Sequence, residues 1–294
     1  MARITVFTPA YNRAHTIGRT YESLLAQTNK DFIWMIIDDG STDNTKELID
    51  EWKKRDNGFL IEYYYKENGG MHTAHNLAYE KITTELNVCI DSDDAMPKDA
   101  IQIILDTWDK NTREDVAGII ALDSDFSGKV IGSNMPEGVD YATTSNLYAK
   151  YKATGDKKFI YRTDIIKSVP PYPEFKGEKL VPLGVKYQLI SLKYTMILLD
   201  RIVCLVDYQE NGSSNTIKKQ YFESPRGFAA SKIIEMKYNI TFFGRTKATV
   251  HYIMDCLIAK DKDLLKNSPK KILTVLLFPV GYILKKHMEK TYNK

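Results

Sequence analysis

Cysteine is scarce. The 294-residue chain holds three, Cys89, Cys204 and Cys256, and no C-x-x-C spacing. Neither a zinc site nor a disulfide framework is expected; reduced core thiols in a cytoplasmic protein are. Charge of one sign is missing too. The 41 Lys+Arg against 38 Asp+Glu leave a net +3, which gives no global argument for nucleic acid, and none is expected as a partner. No run reaches the roughly 18–20 apolar residues of a membrane-spanning helix. A strand begins almost at once, at Arg3, so no signal peptide is expected. The glycine-rich phosphate motifs G-x-x-x-x-G-K and G-x-G-x-x-G are also lacking, which argues against a P-loop NTPase or an NAD enzyme.

What the chain does have is Asp91-Ser92-Asp93-Asp94. The run Leu86–Ile90 before it reads as a buried parallel strand. Pro97 after it suits the first turn of a helix with Ile101, Ile104, Leu105 and Trp108 on one face. Three carboxylates thus fall on a strand-to-helix turn, the edge where open α/β sheets bind ligands. Such a cluster stays ionised when a cation is shared, and few hard oxygen ligands with room for phosphate suit Mg²⁺ or Mn²⁺. A helix cap plus two solvated aspartates is the plain alternative for an isolated Asp-x-Asp.

The surrounding pattern repeats. Arg3–Thr8 reads as a first strand that turns at Pro9, because proline cannot donate to a central ladder. Ile17, Tyr21, Leu24, Leu25 and Thr28 follow at helical spacing. Phe32–Ile37 is a second strand, closed by Asp38-Asp39-Gly40-Ser41-Thr42-Asp43, with Ser41 or Asp43 capping a helix through Leu48, Ile49 and Trp52. Leu60–Tyr65 is a third, ending at Asn68-Gly69-Gly70 before a helix with Ala74, Leu77, Ala78 and Ile82. Strand then helix, four times over, predicts a doubly wound, mostly parallel α/β sheet. Each strand brings polar groups to one edge: a ring that can stack on a base, carboxylates, and glycines ahead of a helix N-terminus. Turns favour Asn, Asp and Gly anyway, but four arrivals together describe a nucleotide-diphosphate pocket.

Thr8-Pro9-Ala10-Tyr11-Asn12-Arg13, Ile37-Asp38-Asp39-Gly40-Ser41-Thr42-Asp43, Asn68-Gly69-Gly70 with Ala74-His75-Asn76, and Asp91-Ser92-Asp93-Asp94 resemble the ordered motifs of family 2 glycosyltransferases, which have the GT-A fold. The likeness is close over about residues 3–125 and loose over 155–215, and is similar to bacterial enzymes of capsular and other surface polysaccharides. The resemblance implies inverting transfer from a nucleotide-sugar donor, commonly a UDP-sugar, to a saccharide or lipid-linked saccharide. It implies a donor site of Thr8, Pro9, Tyr11, Asn12, Arg13, Asp39, Asn68, Gly70, His75, Asn76, Asp91, Ser92 and Asp93. Tyr11 and Asp39 would hold the base, Asp91 the ribose or a phosphate, and Asp93, with Asp91, the metal. His75 stands where the family usually has arginine, which would weaken a diphosphate contact or make it pH-dependent. A Glu-Asp pair supplies the family's catalytic base; here it is Glu178-Lys179, so Glu178 is expected to act, with Asp156 as runner-up.

Val116–Leu122 reads as a further strand, 123–155 as an irregular excursion, and Lys158–Arg162 as a strand before a short helix capped by Thr163-Asp164. Ile197–Leu199 and Ile202–Val206 read as two strands. Tyr208–Asn215 resembles the family's late loop, and Lys218, Lys219 and Arg226 are candidates for a basic lid or for a solvated linker. The expected division is 1–215 as the GT-A domain, split at 125 into donor and acceptor halves, with 216–294 a basic helical region. There Lys270-Lys271 and Lys285-Lys286 flank the uncharged run Ile272–Leu284. That suits a helix lying on the inner face of an anionic membrane, with a core helix or an oligomer contact as alternatives. Two rivals in other classes are a silent membrane-associated assembly protein with this fold and a sugar nucleotidyltransferase. The second would carry a Gly-rich basic loop after the first strand, where Pro9–Arg13 has no glycine.

Overall fold

The structure is a computed structural model that describes residues 2–207, 217–239 and 241–292. In chain order its elements are β1 (Ile4–Ala10), α1 (Ile17–Leu25), β2 (Phe32–Asp38), α2 (Thr45–Trp52), β3 (Leu60–Tyr65), α3 (Met71–Lys81), β4 (Leu86–Cys89), α4 (Ala100–Asp109), β5 (Val116–Ser124), β6 (Tyr141–Ala142) and α5 (Thr144–Ala149). Then come β7 (Lys157–Arg162), α6 (Thr163–Ser168), α7 (Gly184–Ile190), β8 (Thr195–Leu205), α8 (Ile217–Glu223), α9 (Pro225–Tyr238), α10 (Phe242–Ile258), α11 (Leu264–Asn267) and α12 (Lys271–Tyr292).

Chain contacts divide it into two compact units. The first takes in the described residues of Met1–Asn68, Ala74–Pro170 and Lys193–Tyr208; the second those of Gly69–Thr73, Pro171–Leu192 and Gln209–Lys294. The first unit is a sheet in the order β3-β2-β1-β4-β7-β5-β8-β6. Strands β3, β2, β1 and β4 are parallel, as βαβ connections require. Strand β7 runs antiparallel to both neighbours, β4 and β5. The GT-A expectation of a mostly parallel sheet therefore holds, with β7 inserted in reverse and the edge strand β6 reversed against β8.

The sheet is buried on both faces, as central parallel strands are. Ile4, Val6, Phe32, Trp34, Leu86 and Val88 join one core. Within it Tyr21 stacks on Trp52 at 4.2 Å between ring centroids. Its hydroxyl donates to Asn57 Oδ1 at 2.6 Å, so the buried phenol is satisfied. Phe7 points the other way, edge-on to His75 at 4.9 Å and Tyr79 at 5.6 Å.

Several local expectations are corrected. Strand β1 does not turn at Pro9 but pairs it with Ile37 and runs on to Ala10. Residues two apart in a strand face the same neighbour. Phe7 accepts from Ile90 N on the β4 side, and the β4 ladder ends at Phe7↔Cys89. Proline's missing N–H therefore falls just beyond the ladder. The two strands expected around 197–206 are one, β8, whose register against β5 slips between Leu199 and Ile202. Asp200 and Arg201 form that irregularity, and their polarity reads as a break. Pro97 precedes α4 in a turn in which Ala100 N donates to its carbonyl at 3.0 Å. The excursion 123–155 contains β6 and α5. Helix α2 has Asn44 before it, and Asp43 instead accepts from Thr45 N at 3.1 Å.

Candidate active site

Strand register assembles the first unit's polar edge. Ala10 pairs with Asp38, and Asp38 with Tyr65. Asp39 N donates to Ala10 O at 2.8 Å and Lys66 N to Asp38 O at 2.9 Å. The tips of β1, β2 and β3 are thus level, and Asp91 follows Ile90 beside Phe7.

Four tips therefore arrive with their side chains interlocked. Asn12 takes φ +53°, a left-handed conformation that asparagine tolerates. There its N–H donates to Ser41 Oγ at 2.9 Å, and its Oδ1 accepts from Thr42 N at 2.8 Å. Arg13 N donates to Thr45 Oγ1 at 3.0 Å, and its guanidinium lies 3.8 Å from Asp93 Oδ2. Tyr11 is 47% exposed, and Tyr65 at the β3 tip is 59% exposed. Asp39 is buried and ion-paired with Lys66. Asp38 accepts from Ser41 N and Tyr63 O–H at 2.7 and 2.6 Å, so it braces the turn. Asn68 N lies 2.7 Å from where a Cβ on Gly40 would stand, which ties the β3 tip to the β2 tip.

The Asp91–Asp94 turn is held from behind. Asp94 N donates to Asp91 O at 3.0 Å. Thr20 Oγ1 donates to Asp94 O at 2.8 Å, and Arg19 donates to Asp93 O at 3.1 Å and to Asp207 Oδ2 at 2.8 Å. Ala95 and Leu205 exchange backbone bonds at 3.0 and 2.7 Å. Burial and the charge of Asp91 push the Asp93 carboxyl above its ordinary value, against Arg13.

Beneath this turn lies a charged cluster that strand patterning did not suggest. Lys158, on β7, has its ammonium 3.8 Å from Asp94 Oδ2. Burial opposes that charge, but the acidic groups around it, Asp123, Asp94 and Asp91 among them, hold its pKa well above the usual value. Burial pushes Asp94 up to about 7 against Lys158 and Asp123 up to about 6. Asp123 is 2% exposed, and its Oδ1 has no hydrogen-bond partner. The signal was present: Lys158 lies two residues before Ile160, so alternation puts it on the same face as a core residue.

Other expected site residues lie deeper in the fold. Thr8 is fully buried and accepts from Trp34 Nε1 at 3.0 Å. Pro9 and Ser92 are buried, and Asn76 is half-buried on α3. His75 is 1% exposed, with Nδ1 3.1 Å from the Tyr79 hydroxyl oxygen and Nε2 3.6 Å from Cys89 Sγ. The ring is enclosed by Phe7, Tyr79 and Cys89.

Gly70 and Glu178 belong to the second unit. Gly70 has φ +91°, and a Cβ there would sit 1.8 Å from the Lys179 carbonyl oxygen. Close packing on Lys179 thus requires glycine, whatever else passes nearby. Glu178 has its side chain 9% exposed. Its Oε1 accepts from Arg226 N at 3.2 Å and its Oε2 from Gly227 N at 2.9 Å. The carboxylate therefore satisfies the N–H groups of Arg226 and Gly227 in the first turn of α9, whose first residue, Pro225, has none. Each oxygen keeps a second lone pair. Asp156 is exposed on the first unit. The late loop Tyr208–Asn215 and the Lys218 side chain lie outside the described residues.

Among the described residues no group of three or more His, Cys, Asp or Glu is arranged to hold a metal. The test of fit is therefore Asp91 with Asp93. Their side chains are hard oxygen donors, and Asp93 is partly exposed, its proton affinity raised by burial and by the charge of Asp91. Two carboxylates completed by phosphate and water suit Mg²⁺ or Mn²⁺.

The fold matches solved GT-A enzymes. *Staphylococcus aureus* TarS 1-349 in complex with UDP-GlcNAc is 17% identical, with TM-score 0.65 over 99% of this chain and 91% of that one. A *Pyrobaculum calidifontis* mannosyltransferase in complex with GDP-Man and Mn²⁺ is 16% identical, with TM-score 0.56 over 98% and 88%. The model of glycosyl transferase family 2 matches residues 5–168, and the chain belongs to that family. Hyaluronan synthase of *Pasteurella multocida* is 25% identical over 99% of this chain. An uncharacterised glycosyltransferase of *Rickettsia felis* is 38% identical over 37% of it. The matched segments span 31% and 18% of those proteins' lengths.

Proposed function

We propose that the chain is an inverting, metal-dependent transferase that moves a sugar from a nucleotide-sugar, a UDP-sugar first among them, to a saccharide or lipid-linked saccharide in surface polysaccharide synthesis. One observation carries this reading: Asn12, Arg13, Asp39 and Asp93 meet at one sheet edge through the levelled strand tips. The neighbours solved with UDP-GlcNAc and with GDP-Man and Mn²⁺ support the donor class and the metal.

Tyr11 offers its exposed ring to the base. Asp39, ion-paired with Lys66, accepts from a ring N–H. Arg13 supplies positive charge beside Asp93, where a diphosphate gathers negative charge. Asp91 and Asp93 would hold the cation, which neutralises charge on the leaving nucleotide. A single displacement also needs a base for the acceptor hydroxyl. Glu178 remains the first candidate, anchored by the α9 N–H groups, and Asp156 the second.

A panel of nucleotide-sugars, each tested with Mn²⁺, with Mg²⁺ and with chelator, tests this. The true donor raises the melting temperature only with metal, because it binds the native state alone. If none of the panel stabilises the protein, the reading falls.

A further inference from the structure

Helix α12 presents two apolar faces, and only one is covered. Thr274 is 1% exposed, and Leu277 packs on the helical core. A Cβ on Gly281 would stand 2.5 Å from Ile253 Cγ2 and 3.1 Å from the Val250 carbonyl of α10. The spacing 274, 277, 281 fixes the inward stripe. A helix on a water-facing surface carries polar residues on the opposite side. Here that side is Ile272 80%, Val275 58%, Leu276 69%, Val280 49% and Ile283 67% exposed. The patch extends onto a second element, since Phe242 and Phe243 at the start of α10 are 71% and 78% exposed. Phe242 lines one open groove with Ile272 and Leu276.

The charge around the patch selects its partner. From Leu264 to Met288 there is no acidic residue, while Lys266, Lys270, Lys271, Lys285 and Lys286 are present. Asp263 offsets Lys266, and Glu289 is shared between Lys285 and Lys286 at 3.0 and 3.3 Å. Positive charge therefore remains at both ends of the bare face. A second copy would set lysines against lysines at either end of a two-fold contact. An anionic bilayer surface matches both features, with acyl chains for Ile272, Leu276, Ile283 and Phe243 and headgroup phosphates for the lysines. No helix among the described residues is long and apolar enough to cross a membrane, so the helix would lie in the interface.

We infer that the outward face of α12, with Phe242 and Phe243, docks the protein on an anionic lipid bilayer. The inference stands apart from the donor chemistry. The full chain is floated with vesicles of phosphatidylcholine alone and of equal parts phosphatidylcholine and phosphatidylglycerol. It should float with the second, less as salt rises, and hardly with the first. The Ile272→Glu/Leu276→Glu double variant and Phe243→Ser should keep the wild-type melting temperature. The double variant should lower partition at least about tenfold, because two large side chains lose apolar burial. Wild-type protein that stays with the buffer, or a double variant that floats as well as wild type, would overturn the inference. So would a micromolar dimer in light scattering that Leu276→Glu dissociates, since a second copy would then own the face. Metal-dependent donor stabilisation, read in the same preparations, reports the transferase reading independently.

Discussion

The two units break the ordinary rules of burial in opposite senses. The first hides charge: Lys158, Asp94 and Asp123 lie beneath the Asp91–Asp94 turn. The second shows apolar surface: Ile272, Leu276 and Phe243 stand in the open. Either anomaly would cost stability without a compensating role. In the first unit the compensation is internal, one ammonium among several carboxylates. In the second it is external, a surface the protein does not contain. The contrast separates what the fold completes by itself from what a partner completes.

Variants can break the contrast. The largest effect is expected from Lys158→Met, which strands Asp94 and Asp123 without their cation and should cost about 3–5 kcal/mol in urea unfolding; a loss under about 1 kcal/mol would show the cluster to be slack. Next is pH. Burial raises the folded Asp123 carboxyl to about 6 from 3.8. The native state then binds its proton more tightly than the unfolded chain, so this group's contribution is full below about pH 4 and lost as pH rises through about 6. Asp123→Asn should remove up to about 3 kcal/mol of that slope, read as urea stability at pH 4.5 and 7.

Gly70→Ala comes third, placing a methyl against the Lys179 carbonyl at a positive φ; about 1–3 kcal/mol is expected from thermal unfolding. Last is Glu178. Glu178→Ala should cost about 1 kcal/mol through the lost α9 bonds. Glu178→Gln sharpens the assignment: turnover abolished with donor affinity kept marks a base, while turnover kept marks a cap alone.

Much of this was legible in the chain. Buried strands such as Phe32–Asp38 announce themselves as apolar runs, and their tips announce themselves as Asn, Asp and Gly. Strand direction is not written in such a run, so the reversal of β7 was invisible. The slip in β8 was misread because Asp200 and Arg201 look like a loop. Tip residues were found by the chemistry they offer; the contacts of Thr8 with Trp34 and of His75 with Tyr79 and Cys89 were not legible there. Lys158 was missed because lysine is presumed solvated, although its register with Ile160 placed it inside. Glu178 was singled out through the family's Glu-Asp pair, but the helix whose first turn it bonds, α9, lies far along the chain, and local sequence carries no such pairing.

Titration calorimetry of UDP into the full chain with Mn²⁺, set beside Asp93→Ala of unchanged melting temperature, probes the levelled strand tips most directly. Binding should vanish both on chelation and in the variant. Heat of the same size from Asp93→Ala, or from wild type without metal, would contradict a cation held at that turn.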